Sequence, residues 1–402
     1  MNTKHLSPDD AIYHLVNNLR RITEHEISSV EQYIYGRVLA EPISADRDSP
    51  AADISAMDGF AINIHDVNTE SMIEVRGESK AGSPPPELEK GTAVRIFTGA
   101  MLPATANAVI KREDTTVIEQ AIRIKASEGG YPEGLNIRKA GENAPRGSEI
   151  LSRGTLLNSA NASTLASFGC DAVSLIRPLQ ISIITTGDEV GQFGRAAPKP
   201  WQIRNSNALS LKVLFDAHPW IKITHTGHCS DEEGSLLAVM TQSLEKADAL
   251  IITGGVSVGD YDFVPSVIQK MGANVAFHGL PIRPGKPVLG ASTEQGKLIL
   301  GLPGNPVSAI TGCQRLGIPL LKYIAGFSSW NQRPPKVLLK NADTKTIPLH
   351  WLRLVEESFD GSVTLCQNQG SGDLVALGKS SGFIEIDPNQ NSEGRWPYYR
   401  WQ

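Results

Sequence analysis

Ile12, Leu15, Val16, Leu19 and Ile22 recur at the three-to-four-residue spacing that lines up side chains on one face of a helix. Ser7-Pro8-Asp9-Asp10 precedes them with an N-cap residue, a proline at the first helical position and two early acids. The pattern predicts a helix over 8–22. A second short helix is expected over Ser28–Tyr35, closing at Gly36. After Arg47 the texture changes to short β-type runs cut by glycine and proline: Phe60–Ile64, Met72–Arg76, Thr92–Phe97, Ala108–Lys111 and Ala121–Lys125. Residues 50–145 therefore read as a small all-β module. Residues 147–177 return to helix, with Asn161–Phe168 running toward Gly169.

From Leu179 to about Gly326 apolar strands alternate with helical periods. The strands are Gln180–Thr186, Ile221–Thr226, Asp248–Thr253 and Lys297–Leu300. One intervening helix is capped by Asn205 or Ser206, and another by Asp231. This alternation argues for an open, largely parallel α/β sheet. After Gln332-Arg-Pro-Pro-Lys the chain is strand-rich again, at Lys336–Lys340, Leu352–Glu356, Val363–Cys366 and Gly382–Ile386. The fold class is α/β plus β, in a multidomain chain.

Composition narrows the function. The 402 residues carry 38 Lys plus Arg against 43 Asp plus Glu, a net charge of −5, which speaks against a nucleic-acid binder. At 40% hydrophobic residues the chain can build real cores. Cys170, Cys229, Cys313 and Cys366 form no CxxC pair, so they read as reduced thiols of a cytoplasmic protein. No apolar run reaches the ~20 residues of a membrane span, and no signal peptide is expected behind Met1.

The candidate chemistry lies at strand ends, where ligands bind in open α/β sheets. Three glycine-rich loops occur there: Thr186-Gly187-Asp188-Glu189, Thr253-Gly254-Gly255-Val-Ser257-Val-Gly-Asp260, and Gly301-Leu-Pro-Gly304-Asn305-Pro306. Glycine lets backbone N–H groups approach a ligand and form anion-binding nests, and Pro306 opens a helix whose dipole favours an oxyanion. None of the loops fits GxxxxGK[ST] or GxGxxG, so neither a P-loop nor a dinucleotide site is indicated. Asp188, Glu189, Asp260 and Asp262 beside such amides call for a cation, and Mg²⁺ suits one or two carboxylates plus phosphates. Arg283-Pro-Gly-Lys286-Pro supplies the opposite charge, a planar fork and a point charge for an oxyanion. The histidines have no metal-ligand spacing; Asp171 and Asp248 look structural.

Seven motifs occur in order: Ser55-Ala-Met-Asp58-Gly-Phe, Arg95-Ile-Phe-Thr98-Gly-Ala-Met-Leu-Pro103, Ile137-Arg-Lys-Ala-Gly-Glu142, Thr185-Thr-Gly-Asp-Glu189, Gly254-Gly-Val-Ser-Val-Gly-Asp260-Tyr-Asp262, Arg283-Pro-Gly-Lys286-Pro and Gly301-Leu-Pro-Gly-Asn-Pro-Val-Ser-Ala309. Together they closely resemble the molybdopterin molybdenumtransferases, the MoeA and gephyrin E-domain family, over nearly the whole chain. The resemblance implies four domains: an elongated helical dimerisation domain (1–47 with 147–177), an inserted β lid (48–146), a molybdopterin-binding α/β domain (178–328) and a C-terminal β barrel (329–402). It also implies a homodimer whose site lies between the α/β domain of one subunit and the lid of the other. The implied reaction inserts molybdenum from molybdate into adenylylated molybdopterin, with Mg²⁺-dependent release of AMP. The adenylyltransferase that makes this substrate is an expected partner.

By motif, the resemblance carries over Asp58, Glu189, Asp262 and Lys286 as catalytic, and Glu189 and Asp262 as Mg²⁺ ligands. Thr98, Asp231, Arg353 and Ser371 follow as substrate contacts. Two positions depart from the family pattern: Asn143 stands where an acid is usual, and Arg283 where lysine is common. Two other readings share these motifs, a non-catalytic molybdopterin-binding scaffold and a molybdopterin adenylyltransferase. Molybdenum and tungsten oxyanions have the same shape and charge, so the residues do not choose between them.

Overall fold

Six strands form the central sheet: β1 (Leu179–Thr186), β2 (Ile221–Cys229), β3 (Ala249–Thr253), β4 (Asn274–His278), β5 (Leu289–Ser292) and β6 (Leu298–Leu302). In the computed structural model the described residues are 6–32, 34–127, 129–191, 197–257, 259–260 and 262–401. Val258 and Tyr261 of the Gly254 loop, Tyr33 and Met1–His5 lie outside them. The spatial order is β2-β1-β3-β6-β5-β4. β2, β1, β3 and β6 run parallel, while β5 is antiparallel to both β6 and β4. All five residues of β3 and all five of β6 are buried. Burial on both faces explains why these runs are continuously apolar rather than alternating. Each fully buried Leu or Ile contributes about 1.5–3 kcal/mol relative to exposure.

The chain divides into two units: Met1–Glu41, Arg153–Ala162 and Asp171–Gln402 in one, and Pro42–Ser152 with Ser163–Cys170 in the other. The larger unit holds the central sheet and a closed five-stranded barrel. Around that barrel the strands run His350–Glu357, Val363–Leu365, Lys336–Leu339, Gly394–Arg400 and Gly382–Ile386, which pairs back to the first. The smaller unit holds a six-stranded sheet in the order Ala108–Lys111, Gly59–Ile62, Ala93–Ile96, Ile73–Ser79, Ala121–Ile124, Thr115–Ile118. Phe60, Ile62, Ile110 and Ile122 lie at its core.

Several expected elements differ. The first helix is Pro8–Val16 rather than 8–22. Leu19 and Ile22 are still buried, but the chain leaves the helix so that Arg20 N–H donates to the Gly296 carbonyl (2.9 Å) and Ile22 N–H to that of Ile324 (2.8 Å). Among the described residues of 28–35, which leave out Tyr33, the expected helix is absent. His25–Ser29 is instead a strand, antiparallel to Ala172–Ile176, so tertiary pairing overrides local propensity. Within 147–177 only Ser159–Ser167 is α-helical. Asp231 does not cap the next helix, which begins at Glu233 after Glu232. Gly394–Arg400 escapes sequence reading because Pro397 argues against a ladder position, yet it pairs with Lys336.

One buried charge network ties three elements of the larger unit together. Arg315, in a π-turn over Cys313–Gly317, donates to Glu385 Oε2 through Nε (2.6 Å) and to Asp9 Oδ1 through Nη2 (2.6 Å). Tyr399 OH also donates to Glu385 Oε2 (2.9 Å), and His350 Nδ1 lies 3.1 Å from Oε1. Burial alone would push the Glu385 carboxyl up, but these partners bring it down to about 2. We predict that Arg315→Leu, which strands a buried carboxylate, lowers stability by about 3–5 kcal/mol in denaturant unfolding; a loss under about 1 kcal/mol contradicts the network's role. Because the folded value lies below the ordinary one, the stabilisation is complete above about pH 4.5 and disappears as pH falls toward 2. Glu385→Gln should flatten that acid-side loss.

Candidate functional site

The sheet order creates a switch point. The chain leaves β1 for its neighbour on one side, β2, and then crosses to β3 on the other, opening a crevice beyond the carboxyl ends of β1 and β3. Two loops approach unusually closely there. Gly254 has φ +90°, and a Cβ on it would sit 2.5 Å from the Thr186 carbonyl oxygen. Only glycine fits that position. Gly255 follows at φ +61°, with Thr186 Cγ2 and Val264 Cγ2 close by. Gly254 N–H donates to the Leu302 carbonyl (3.1 Å), and a Cβ on Gly304 would lie 3.7 Å from Gly254 Cα. The three glycine loops expected from the sequence thus meet at one end of the sheet.

Asn207, which sequence reading passed over, bridges two of them. Its Nδ2 donates to the Gly304 carbonyl (2.9 Å) and to Thr253 Oγ1 (3.3 Å), while Oδ1 is buried without a partner among the described residues. Asn205, the true N-cap of the Ser206–Asp216 helix, also donates to Thr185 Oγ1 (2.8 Å). The available signal was the pair of asparagines flanking Ser206, directly before an apolar helical period.

The acids divide between two strand ends. At β1 and β2, Thr186 Oγ1 donates to Asp231 Oδ1 (2.6 Å) and Asp231 N–H to Asp188 Oδ1 (3.2 Å). Glu189 folds back so that its Oε2 would lie 2.8 Å from a Cβ on Gly187. After β3, Asp262 Oδ2 accepts from Gly259 N–H (2.8 Å), Asp260 is exposed and Ser257 half-buried. Among the described residues no three of His, Cys, Asp and Glu form a metal-binding group. The donor set offers carboxylate oxygens in ones and twos, which fits a Mg²⁺ completed by phosphate oxygens and water, not an all-protein cage.

The basic turn is anchored to the barrel. Ile282–Arg283 pairs in parallel with His350–Trp351, and the Arg283 guanidinium lies 5.9 Å from the Trp351 ring centroid. Arg353 stacks closer on the same ring (4.2 Å), but its fork is taken by Asp343 at 2.9 and 2.8 Å. Arg283 and Lys286 are both exposed. Between them, a Cβ on Gly285 would lie 3.7 Å from the Ser308 carbonyl, so the turn packs on the helix that Asn305 and Pro306 open. Ser371 contributes its backbone carbonyl there, accepting from Val307 N–H (3.1 Å).

In the smaller unit, Asp58 Oδ1 accepts from Thr98 N–H (2.8 Å) and from Thr98 Oγ1 (2.9 Å). Those two bonds, with weaker help from Arg112 and Arg95, hold the exposed Asp58 carboxyl below its ordinary value. Asn143 Oδ1 accepts from Arg138 Nη2 (2.8 Å), beside the Arg138 Nε–Glu142 Oε1 contact (2.7 Å). The amide oxygen makes the contact that an aspartate oxygen would make.

Residues 6–169 match the family described as MoeA N-terminal region (domain I and II), and residues 182–323 the one described as Probable molybdopterin binding domain. The chain is 34% identical over 393 residues to the molybdopterin molybdenumtransferase of Haemophilus influenzae, covering 96% of each. It is 34% identical to the enzyme of that name from Bacillus subtilis, covering 85% of this chain and 79% of the other. The crystal structure of a molybdopterin biosynthesis MoeA protein from Pyrococcus horikoshii superposes with a TM-score of 0.74 at 26% identity, over 99% of this chain and all of that one. The chain belongs to the molybdopterin molybdenumtransferase family, transferases of molybdenum cofactor biosynthesis.

Proposed function

We propose that the protein inserts molybdenum from molybdate into adenylylated molybdopterin and releases AMP with Mg²⁺. The convergence of the Thr186, Gly254 and Gly304 loops at the switch point carries this reading, because a diphosphate needs close, unobstructed backbone N–H groups. Gly187, Gly254, Gly255, Ser257, Gly304 and Asn305 line the phosphates. Arg283 and Lys286 offer charge-assisted contacts to the tetrahedral molybdate dianion. Glu189 and Asp262 would hold Mg²⁺, with Asp188, Asp231 and Asp260 orienting its waters. Held by these carboxylates, Mg²⁺ would supply positive charge beside the phosphoanhydride.

Asp231 is itself held by the Thr186 hydroxyl, which keeps one of its oxygens engaged. Asp58 stays ionised because Thr98 supports its charged form. The reading further proposes a four-domain chain that works as a cytoplasmic homodimer. In it the lid residues Asp58 and Thr98 complete the crevice of the other subunit, and the adenylyltransferase supplies the substrate. Arg353 and Ser371 act from the barrel side: Arg353 steadies Trp351 beside Arg283, and Ser371 holds the start of the Pro306 helix.

The direct test mixes purified protein with adenylylated molybdopterin, Mg²⁺ and molybdate. AMP release that depends on molybdate, with metal appearing in the pterin product, is expected. Absence of both, or conversion of ATP and molybdopterin to the adenylylated form, contradicts the assignment. The shared site has its own test. Asp58→Ala and Asp262→Ala chains are each expected to be inactive. Exchanged into heterodimers, they should recover roughly the activity of one intact site. No recovery after confirmed subunit exchange would exclude a site built from two chains.

A further inference from the structure

We propose that a second anion site, for a small polyvalent oxyanion of the phosphate class, lies at the amino ends of β1, β3 and β6, opposite the crevice. A cavity of about 330 Å³ opens there, with Arg20, Arg21, Arg177, Lys246 and Lys297 in its wall. Three acids also line it, and their commitments decide its charge. Asp248 is saturated: it accepts from Arg177 Nη1 (2.7 Å), Arg177 Nη2 (2.9 Å) and Gln180 N–H (2.9 Å). Glu24 lies 3.6 Å from the same guanidinium and accepts from Thr23 N–H (3.3 Å). Only Glu245 is left to oppose the remaining cations.

The Glu233–Lys246 helix ends at this cavity, and its terminal carbonyls would repel an anion. Lys297 answers that directly, donating Nζ to the Leu244 carbonyl. Arg20, Arg21 and Lys246 have no ion-pair partner among the described residues, and the Arg21 guanidinium lies over the Tyr323 ring at 4.4 Å. Three cations thus face one lone carboxylate.

Their placement is built in advance. Arg20 N–H is bonded to the Gly296 carbonyl and Ile22 N–H to that of Ile324, so the Arg20–Ile22 segment is pinned at both ends. The approach is close enough that a Cβ on Gly296, at φ +78°, would come within 2.8 Å of Arg20 N. An oxyanion with several oxygens can bridge two guanidinium forks and an ammonium, which a monovalent halide cannot. Nothing in the proposed reaction uses these residues.

The test titrates inorganic phosphate and pyrophosphate into the intact protein by calorimetry at constant ionic strength, with chloride as the control. Lys286→Ala serves as background to weaken oxyanion binding in the crevice. Saturable binding of phosphate or pyrophosphate, but not chloride, is expected in that background. Arg20→Gln with Lys246→Gln should weaken it at least tenfold. Melting temperature without anion should stay near the parent's, and AMP release by Arg20→Gln with Lys246→Gln in a chain that keeps Lys286 should stay near wild type, because neither residue touches the crevice. If the double variant melts early, Arg20→Gln alone is measured, with a smaller loss expected. Molybdate in a separate arm distinguishes a general oxyanion site from one selective for phosphate groups. Equal affinity in parent and variant, no difference from chloride, or binding lost only through Lys286→Ala each overturns the proposal.

Discussion

The backbone of Gly254 passes so close to the Thr186 carbonyl that no side chain fits between them, and the site depends on this contact. It brings the loops that follow two parallel strands together at the point where the connections diverge. The contact is supported from below. Gly254 N–H is fixed to Leu302, and Asn207 bonds both Thr253 and Gly304. Strands β1, β3 and β6 supply the rigidity, because their apolar faces are buried on both sides.

Several of the charged groups singled out by the sequence are oriented by a neighbour. In the larger unit Thr186 and Asp188 hold Asp231 and Gly259 N–H holds Asp262; in the smaller unit Thr98 holds Asp58. The two departures from the family pattern are absorbed in the same manner. Asn143 still accepts from Arg138, and Arg283 lies beside the Trp351 ring, where a planar guanidinium stacks more readily than an ammonium. The buried Arg315–Glu385 pair joins the first helix, the π-turn and the barrel.

The sequence showed the α/β alternation, four of the five barrel strands and the glycine loops because each rests on local patterning: continuous apolar runs, turn glycines and acids at strand ends. It failed where long-range pairing decides. His25–Ser29 carries a weak helical pattern but finds Ala172–Ile176 across nearly 150 residues, and Pro397 sits in a ladder that its type argues against. Asp231 resembled a helix cap until the Thr186 hydroxyl claimed it. Asn207 had only its place beside Ser206 to mark it, since its partners come from two loops that the folded sheet assembles.

The measurement that bears most directly on the cradle is binding of adenylylated molybdopterin to wild type and to Gly254→Ala, with thermal unfolding recorded for both. The added methyl must displace the Thr186 backbone, so affinity should fall at least tenfold while the rest of the sheet still unfolds cooperatively. A Gly254→Ala protein that is folded and binds the substrate as tightly as wild type would contradict the account.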